Sequence, residues 1–202
     1  MRESQIFAIL KVMKKRIFIA INLPEEIKKK LSEYQSKLPD LPIRWVKKDN
    51  LHITLIFLGY LNDEEILEVC KTTKEAASQS SSFFINLKKI CYGPPKKMPP
   101  RMVWTEGEKS EELGKLQSDL ENSFLNSSVK GVKSEARPYA PHITLGRIKA
   151  WEFRKIEQEE RPAIDEDISL NFEVNSIEVM ESELKRGGPE YVILESVPLS
   201  RF

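Results

Sequence analysis

The sequence predicts an α+β fold with two pseudo-symmetric lobes, each a mostly antiparallel sheet with about two helices, packed around a central groove that carries two H-x-T motifs. Strand-like runs occur in hairpin-like pairs separated by helical patterns, which is typical of this fold class. The tetrapeptide HITL occurs twice, and its first residues are His52 and His142, the only histidines in the chain. No change in composition marks a linker, so we predict one bilobal domain over 14–202 after a short N-terminal extension over 1–13.

The first half of the chain alternates strand and helix patterns. Apolar and β-branched runs have the length and composition of strands. The first helix begins at Pro24 and has acidic residues in its first turn, where they favour the positive end of the helix dipole. Asn62 can cap the second helix through its side-chain oxygen. The predicted elements are a strand over 16–21, a helix from Pro24 to the LPDLP segment, strands over 43–46 and 51–59, and a helix over 62–77.

The second half repeats this alternation and ends in strands. A proline-rich connector, PPKKMPP, joins two strand patterns and cannot itself be a central strand. A helical pattern with leucines on one face follows, and the segment Gly187-Gly188-Pro189 supplies the last turn. The predicted elements are strands over 83–93 and 101–107, a helix over 109–126, a strand over 141–149, a short charged helix over 151–160, and strands over 172–184 and 191–199.

Composition excludes several classes of protein. Lys and Arg total 32 against 31 Asp and Glu, so the chain is not a strongly basic nucleic-acid binder, although a local basic site remains compatible with it. Cys70 and Cys91 are too few for a disulfide framework and lack metal-ligand spacing. No segment reaches the roughly 20 apolar residues that cross a bilayer, and the N-terminus lacks a signal-peptide pattern. We expect a cytoplasmic monomer without membrane association.

The repeated HITL motif indicates acid–base chemistry. Residues two apart share a strand face, so His52 and Thr54 point one way, as do His142 and Thr144, while the aliphatic residues face a core. A lone histidine is usually structural, but recurrence in the same tetrapeptide favours a shared site. Two imidazoles with pKa values of about 6.5 can act as one acid and one base, and two hydroxyls suit an anionic oxygen. A phosphate ester fits this set best, although the residues alone do not say which histidine is the acid.

Other chemistries lack their residues. Neither histidine has companions at zinc-ligand spacing, and the chain contains no phosphate-binding loop, dinucleotide-binding glycine pattern or nucleophile elbow. We therefore expect neither a metal nor another cofactor.

The two H-x-T-x motifs resemble the signature of the two-histidine phosphoesterase superfamily. The surrounding segments KKRIFIAINLPEE, RWVKKDNLHITLIFLG, PRMVWTEG, RPYAPHITLGR and ESELKRGGPEYVIL narrow the resemblance to the RNA 2′,3′-cyclic phosphodiesterases, also called 2′-5′ RNA ligases. The resemblance covers about 14–199. It implies metal-free hydrolysis of terminal 2′,3′-cyclic phosphates on RNA or nucleotides to 2′-phosphates, with reversible 2′-5′ ligation of RNA ends such as tRNA halves as related chemistry. A non-catalytic RNA- or nucleotide-binding module that uses the same groove is the alternative.

The resemblance also assigns roles to residues. It implies that His52 protonates the leaving 3′ oxygen, that His142 activates water, and that Thr54 and Thr144 hold phosphate oxygens. Arg147 matches an arginine of the family that can reach the phosphate, but strict alternation turns it away from Thr144, so it needs a twist or bulge beside Gly146.

Several other side chains are candidates for contacts with RNA or a nucleotide, through charge, stacking or the lining of the groove. Packing in the core or between the lobes is the alternative for the tryptophans, and a structural role is equally compatible with the tyrosines. These candidates are Arg44, Trp45, Arg101, Trp104, Tyr139 and Tyr191.

Overall fold

The computed structural model describes residues 14–38, 41–95, 97–129, 132 and 139–200. The predicted N-terminal extension over 1–13 lies outside these residues. The strands of the described sheet are β1 Lys15–Asn22, β2 Ile43–Trp45, β3 His52–Leu61, β4 Phe83–Gly93, β5 Met102–Gly107, β6 His142–Ile148, β7 Asp165–Val174, β8 Ser176–Lys185 and β9 Gly188–Pro198. The described helices are α1 Glu25–Lys37, α2 Asp63–Ala77, α3 Glu111–Leu125 and α4 Ala150–Phe153, with 3-10 turns at Lys48–Asn50 and Gln158–Glu160.

The strands form one continuous, antiparallel sheet. Its order is β7-β4-β5-β6-β3-β1-β8-β9, and the short β2 pairs with β6. The two HITL strands, β3 and β6, are neighbours at the centre, where Ile53 pairs with Ile143. Four strands lie on each side of this junction, so each lobe has one HITL strand on its inner edge. The predicted α+β architecture with two related lobes is confirmed. The sheets of the two lobes are joined edge to edge through β3 and β6 and so form one continuous sheet.

Helix ends follow the local sequence. Asn62 accepts a hydrogen bond from the Glu65 backbone N–H, and the Glu65 carboxylate accepts one from the Asn62 N–H, which forms a capping box at the start of α2. Ser110 caps α3 through Leu113 in a similar way. No helix among the described residues is both long enough and apolar enough to cross a membrane.

The hydrophobic core lies on the face of the sheet opposite the motif histidines. Ile53, Leu55, Ile143 and Leu145 are all at most 4% exposed, so the aliphatic half of each HITL packs inward as predicted. Burial of each of these four side chains stabilises the fold by roughly 1.5–3 kcal/mol. The same burial keeps the histidine and threonine of each motif on the opposite face of the sheet.

Two predicted elements were wrong in extent. The single strand expected over 172–184 is two strands, β7 and β8, which separate at Asn175 and pair with different partners, β4 and β1. The helix expected over 151–160 is helical only in α4 and ends in a 3-10 turn. In α4 only Phe153 is buried, and a helix this short gains too little from packing to extend.

Candidate active site

The polar halves of the two motifs open onto one groove. His52, Thr54, His142 and Thr144 line the same cavity of about 680 Å³. Because Ile53 pairs with Ile143 in an antiparallel register, His52 lies on the same side of the crossing as Thr144, and Thr54 on the same side as His142. The sheet thus presents two imidazole–hydroxyl pairs related by an approximate two-fold axis.

Each HITL motif contains a β-bulge at its last residue, the leucine. On β3, Ala20 pairs with Thr54 and Ile19 with Ile56, so Leu55 is an extra residue in the ladder. On β6, Trp104 pairs with Thr144 and Val103 with Gly146, which leaves Leu145 extra. An extra residue shifts the alternation by one position, so side chains beyond the bulge change face.

The bulges return one further side chain in each copy to the groove. Arg147, three residues after Thr144, lines the cavity. Its side chain can face the groove because the bulge at Leu145 lies beside Gly146, where a bulge was needed. The residue at the same position after the first motif is Phe57, which also lines the cavity and is 59% exposed. The two-fold symmetry of the groove is therefore broken by an arginine on one side and a phenylalanine on the other.

The His52 ring is fixed by hydrogen bonds on both nitrogens. Nδ1 lies 2.7 Å from the carbonyl oxygen of Asn50, and Nε2 lies 3.0 Å from the Thr54 Oγ1. Because a carbonyl oxygen only accepts, Nδ1 carries a hydrogen in either charge state, and Nε2 is the nitrogen that gains or loses a proton when the ring titrates. The rings of Phe18 and Tyr191 each pack against the imidazole at 5.1 Å between centroids.

This enclosure changes the proton affinity of His52. Burial lowers the pKa of the imidazole to about 4. The hydrogen bond to the Asn50 carbonyl opposes the shift, whereas positive charge on His142, Lys28 and Arg147 adds to it. His52 is therefore neutral near pH 7, with Nδ1–H donating to the Asn50 carbonyl oxygen and Nε2 accepting from the Thr54 hydroxyl.

His142 has a matching anchor and a different neighbour. Its Nδ1 lies 3.0 Å from the Ala140 carbonyl oxygen and therefore carries a hydrogen, so Nε2 is the nitrogen that can gain or lose a proton. The Trp104 ring packs against the imidazole with 4.4 Å between centroids. The Thr144 hydroxyl lies 3.8 Å from the Met102 sulfur, a weak acceptor, so it can readily turn to a ligand.

The charge of the groove is positive. The described side chains that line it include four cations and no carboxylate, although the whole chain has a net charge of only +1. Lys47 is the one that pairs with an acid among the described residues, at 3.7 Å from Glu190. The cations are Arg16, Arg44, Lys47 and Arg147.

The other predicted contact residues divide into two groups. Arg44, Trp45 and Tyr191 line the cavity with the motif residues. Trp104 contacts His142 instead, and its indole N–H donates to the Glu106 carboxylate at 3.0 Å. The cavity lining does not include Trp104, Tyr139 or Arg101.

Tyr139 and Arg101 have contacts that explain their places. The Tyr139 hydroxyl donates to the Thr54 carbonyl oxygen at 2.9 Å and so joins the segment before the second motif to the first motif. Burial raises the pKa of Tyr139, which keeps it a donor. Arg101 has an exposed side chain, and its carbonyl accepts from the Ile148 N–H.

Sequence reasoning missed several groove residues. Arg16 and Phe18 share a face of β1, which lies beside β3, and their alternation with buried neighbours was visible in the sequence. Phe57 could have been found by extending the comparison of the two motif copies by two residues. Asn50 precedes the first motif, and no pattern in the sequence distinguishes it from a loop residue.

Among the described residues, no cluster of three or more His, Cys, Asp or Glu side chains has an arrangement that could hold a metal ion. Cys70 and Cys91 are both unpaired thiols.

Comparison with known families identifies relatives of this chain. The family model described as LigT-like phosphoesterase matches residues 21–104 and 106–191. The RNA 2′,3′-cyclic phosphodiesterase of Thermotoga maritima is 34% identical over 185 residues, which cover 89% of this chain and 92% of that protein.

Solved structures agree with this assignment. The crystal structure of TT0787 of Thermus thermophilus superposes with a TM-score of 0.77 and 30% identity, and the match covers 91% of this chain and 97% of that one. The crystal structure of E. coli LigT complexed with 3′-AMP gives a TM-score of 0.72 at 27% identity, with coverage of 93% and 99%.

Proposed function

The chain belongs to the LigT-like phosphoesterase family, and we propose that it hydrolyses terminal 2′,3′-cyclic phosphates of RNA or nucleotides to 2′-phosphates by metal-independent acid–base catalysis. One observation carries the proposal: two imidazoles, each anchored through Nδ1 by a backbone carbonyl, line one cationic groove. A fixed Nδ1–H leaves each Nε2 free to take up or release a proton at the substrate.

The reaction needs one base and one acid. His142 Nε2 takes a proton from water as the water oxygen attacks phosphorus, and His52 Nε2–H donates a proton to O3′ as the P–O3′ bond breaks. The products are a 2′-phosphate and a 3′-hydroxyl. Each proton transfer accelerates the reaction by roughly 10²–10⁴. The assignment of His52 as acid and His142 as base follows the family resemblance.

The low pKa of His52 constrains this mechanism. Because burial and nearby cations lower its pKa to about 4, His52 has no proton on Nε2 near pH 7 before substrate binds. A phosphate anion in the groove favours the charged imidazolium, since an opposite charge within about 4–6 Å raises a histidine pKa. Substrate binding therefore protonates the acid, and the Thr54 hydroxyl turns from Nε2 to a phosphate oxygen.

Electrostatics and orientation supply the remaining rate enhancement. The Thr54 and Thr144 hydroxyls and the Arg147 guanidinium line the groove beside the two imidazoles. Donors placed in advance around a developing negative charge stabilise the transition state at little reorganisation cost. We assign these three side chains to the non-bridging oxygens of the phosphate.

The groove suits a nucleotide better than a simple phosphate ester. Phe57, Tyr191 and Trp45 line it with aromatic surface, and base stacking on such surface contributes roughly 1–3 kcal/mol per base. Arg16 and Arg44 add positive charge for further phosphates. E. coli LigT, which shares the fold at 27% identity, has been crystallised with 3′-AMP.

The same site can also catalyse the formation of a 2′-5′ phosphodiester bond between two RNA ends. If the 5′-hydroxyl of a second RNA takes the place of water, His142 takes its proton as O5′ attacks phosphorus. The P–O3′ bond then breaks as His52 protonates O3′, which leaves a 2′-5′ linkage and a 3′-hydroxyl. Substrate supply sets the direction, so we propose ligation as a secondary activity. A binding module without turnover would have no use for two imidazoles with anchored Nδ1 atoms.

The test is incubation with RNA ending in a 2′,3′-cyclic phosphate, with the product phosphate located by phosphorus NMR. We expect a 2′-phosphate, and equal rates with and without EDTA. His52→Ala and His142→Ala should each reduce turnover by at least about 100-fold while circular dichroism remains that of the wild type. Full activity in either variant, a 3′-phosphate product or a strict metal requirement would each contradict the mechanism. RNA binding without product would favour the binding module.

A further inference from the structure

The 3-10 turn Lys48–Asn50 precedes the first catalytic strand, and Asn50 is only 8% exposed. Its carbonyl oxygen accepts from His52 Nδ1 at 2.7 Å, while its side-chain amide donates to the Pro189 carbonyl oxygen at 2.7 Å. We propose that Asn50 is a positioning residue that ties the β8–β9 hairpin to the catalytic strand and thereby controls the environment of His52. The proposal rests on the function proposed for the groove.

The hairpin that Asn50 holds covers His52. Tyr191, on β9, packs edge-on against the imidazole, with 5.1 Å between centroids and an interplanar angle of 90°. Leu184 and Pro189 of the same hairpin line the groove. Burial is the main cause of the low pKa of His52, so the fixed position of this hairpin decides how much water reaches the ring.

A second contact at the hairpin turn is weaker. Lys47 pairs with Glu190 at 3.7 Å, and both side chains are more than a third exposed. Exposed ion pairs of this kind contribute little, whereas a buried amide donor without its acceptor is costly. Among the described contacts at this turn, the Asn50 amide is therefore the one that holds the hairpin in place.

The role of the side chain is separable from the role of the carbonyl. In the second motif Ala140 occupies the equivalent position, and its carbonyl anchors His142 without any side-chain hydrogen bond. The Asn50 turn is also supported from α1, where Lys28 Nζ donates to the Asp49 carbonyl oxygen at 3.2 Å. Truncating the Asn50 side chain should therefore free the hairpin and leave the Nδ1 anchor intact.

Other groups facing His52 are unchanged by that truncation. Lys28 faces it from α1, His142 and Arg147 from β6, and Tyr191 from β9. Lys28 and Arg147, and the His142 ring when it is charged, lower the pKa of His52 and remain in the variant, so a rise in that pKa would report better hydration of the ring.

The experiment compares Asn50→Ala with Asn86→Ala, which removes an asparagine that hydrogen-bonds Glu108 on the exposed side of β4. The chain has only two histidines, so their imidazole signals can be titrated separately by NMR. We expect Asn50→Ala to raise the pKa of His52 above its value in the wild type. We also expect kcat/KM near neutral pH to fall by about 3- to 10-fold, the loss typical of one hydrogen bond. Asn86→Ala should leave both the pKa of His52 and kcat/KM at their wild-type values.

An unchanged titration of His52 in Asn50→Ala would overturn the proposal, even if the melting temperature fell. If Asn50→Ala does not fold, Asn50→Asp has the same size and lacks the amide donor. Its carboxylate would face the Pro189 carbonyl and add negative charge near Nδ1–H, so the pKa of His52 should rise further. A wild-type value in this variant would also overturn the proposal. Because titration needs no turnover, a failure of the proposed hydrolysis would leave this test intact.

Discussion

The half-buried His52, whose ring is enclosed by Phe18 and Tyr191, should make the stability of the protein depend on pH in a defined direction. Its pKa is about 4 in the folded protein and about 6.5 in an unfolded chain. Between these values the unfolded chain binds a proton that the folded protein does not. Titration of His52 therefore lowers the free energy of unfolding as the pH falls from about 6.5 towards about 4, and it has no such effect above about pH 6.5.

The size of this effect follows from the two pKa values. Each unit of pKa difference corresponds to about 1.4 kcal/mol, so the full shift corresponds to roughly 3 kcal/mol. Between about pH 7 and about pH 5, only part of this range is crossed, and the expected loss is about 2 kcal/mol. Carboxylates elsewhere also titrate in acid, so the effect must be measured as a difference between proteins.

The variant His52→Gln supplies that difference because glutamine has no titration in this range. The free energy of unfolding is measured by urea denaturation, followed through tryptophan fluorescence. The stability of the wild type relative to His52→Gln should fall by about 2 kcal/mol from about pH 7 to about pH 5. His142→Gln retains His52 and should keep the pH dependence. A wild-type advantage that is the same at both pH values, within about 0.5 kcal/mol, would refute the burial argument.

Three further changes test other parts of the site and fold. Arg147→Met should raise KM by about 10-fold or more, because it removes a charged donor to the phosphate. Arg154→Met, outside the cavity, should leave KM unchanged. Equal KM values for Arg147→Met and the wild type in steady-state kinetics would contradict this. Gly146→Ala would place a Cβ 2.7 Å from the Trp45 ring, so we expect a lower melting temperature and weaker activity, and a wild-type melt would show that β2 can move. Asn62→Ala breaks the capping box of α2 and should cost about 1 kcal/mol in urea unfolding with kcat/KM unchanged.

Local periodicity was enough to predict most strands and the working face of each motif. The HITL copies could be divided into a polar face and a buried face because strand side chains alternate, and the aliphatic residues Ile53 and Ile143 are indeed in the core. The bulge before Arg147 was predictable for a chemical reason, since an arginine useful to a phosphate had to change face.

Pairing partners could not be predicted from the same patterns. The segment over 172–184 was predicted as one strand, although its buried positions shift from Phe172 and Val174 to Ile177 and Val179 across Asn175. In the structure β7 lies at the edge of one lobe and β8 inside the other. Phe18 reaches His52 only because β1 lies beside β3, and Tyr191 reaches it only because the β8–β9 hairpin folds back over the Lys48–Asn50 turn. Such contacts depend on strand order, which a local pattern does not contain.

The repeat has a consequence for how a substrate is oriented. A groove with exact two-fold symmetry would bind a nucleotide in two opposite orientations with equal free energy, and each histidine would then serve as acid in half of the complexes. Phe57 and Arg147 occupy equivalent positions after the two bulges, and one is apolar while the other is cationic. A substrate with a flat base at one end and phosphate charge at the other therefore binds more favourably one way round. Under the proposed mechanism the neighbours of the two histidines also favour one orientation, because Phe18 and Tyr191 enclose His52 whereas Trp104 packs against His142.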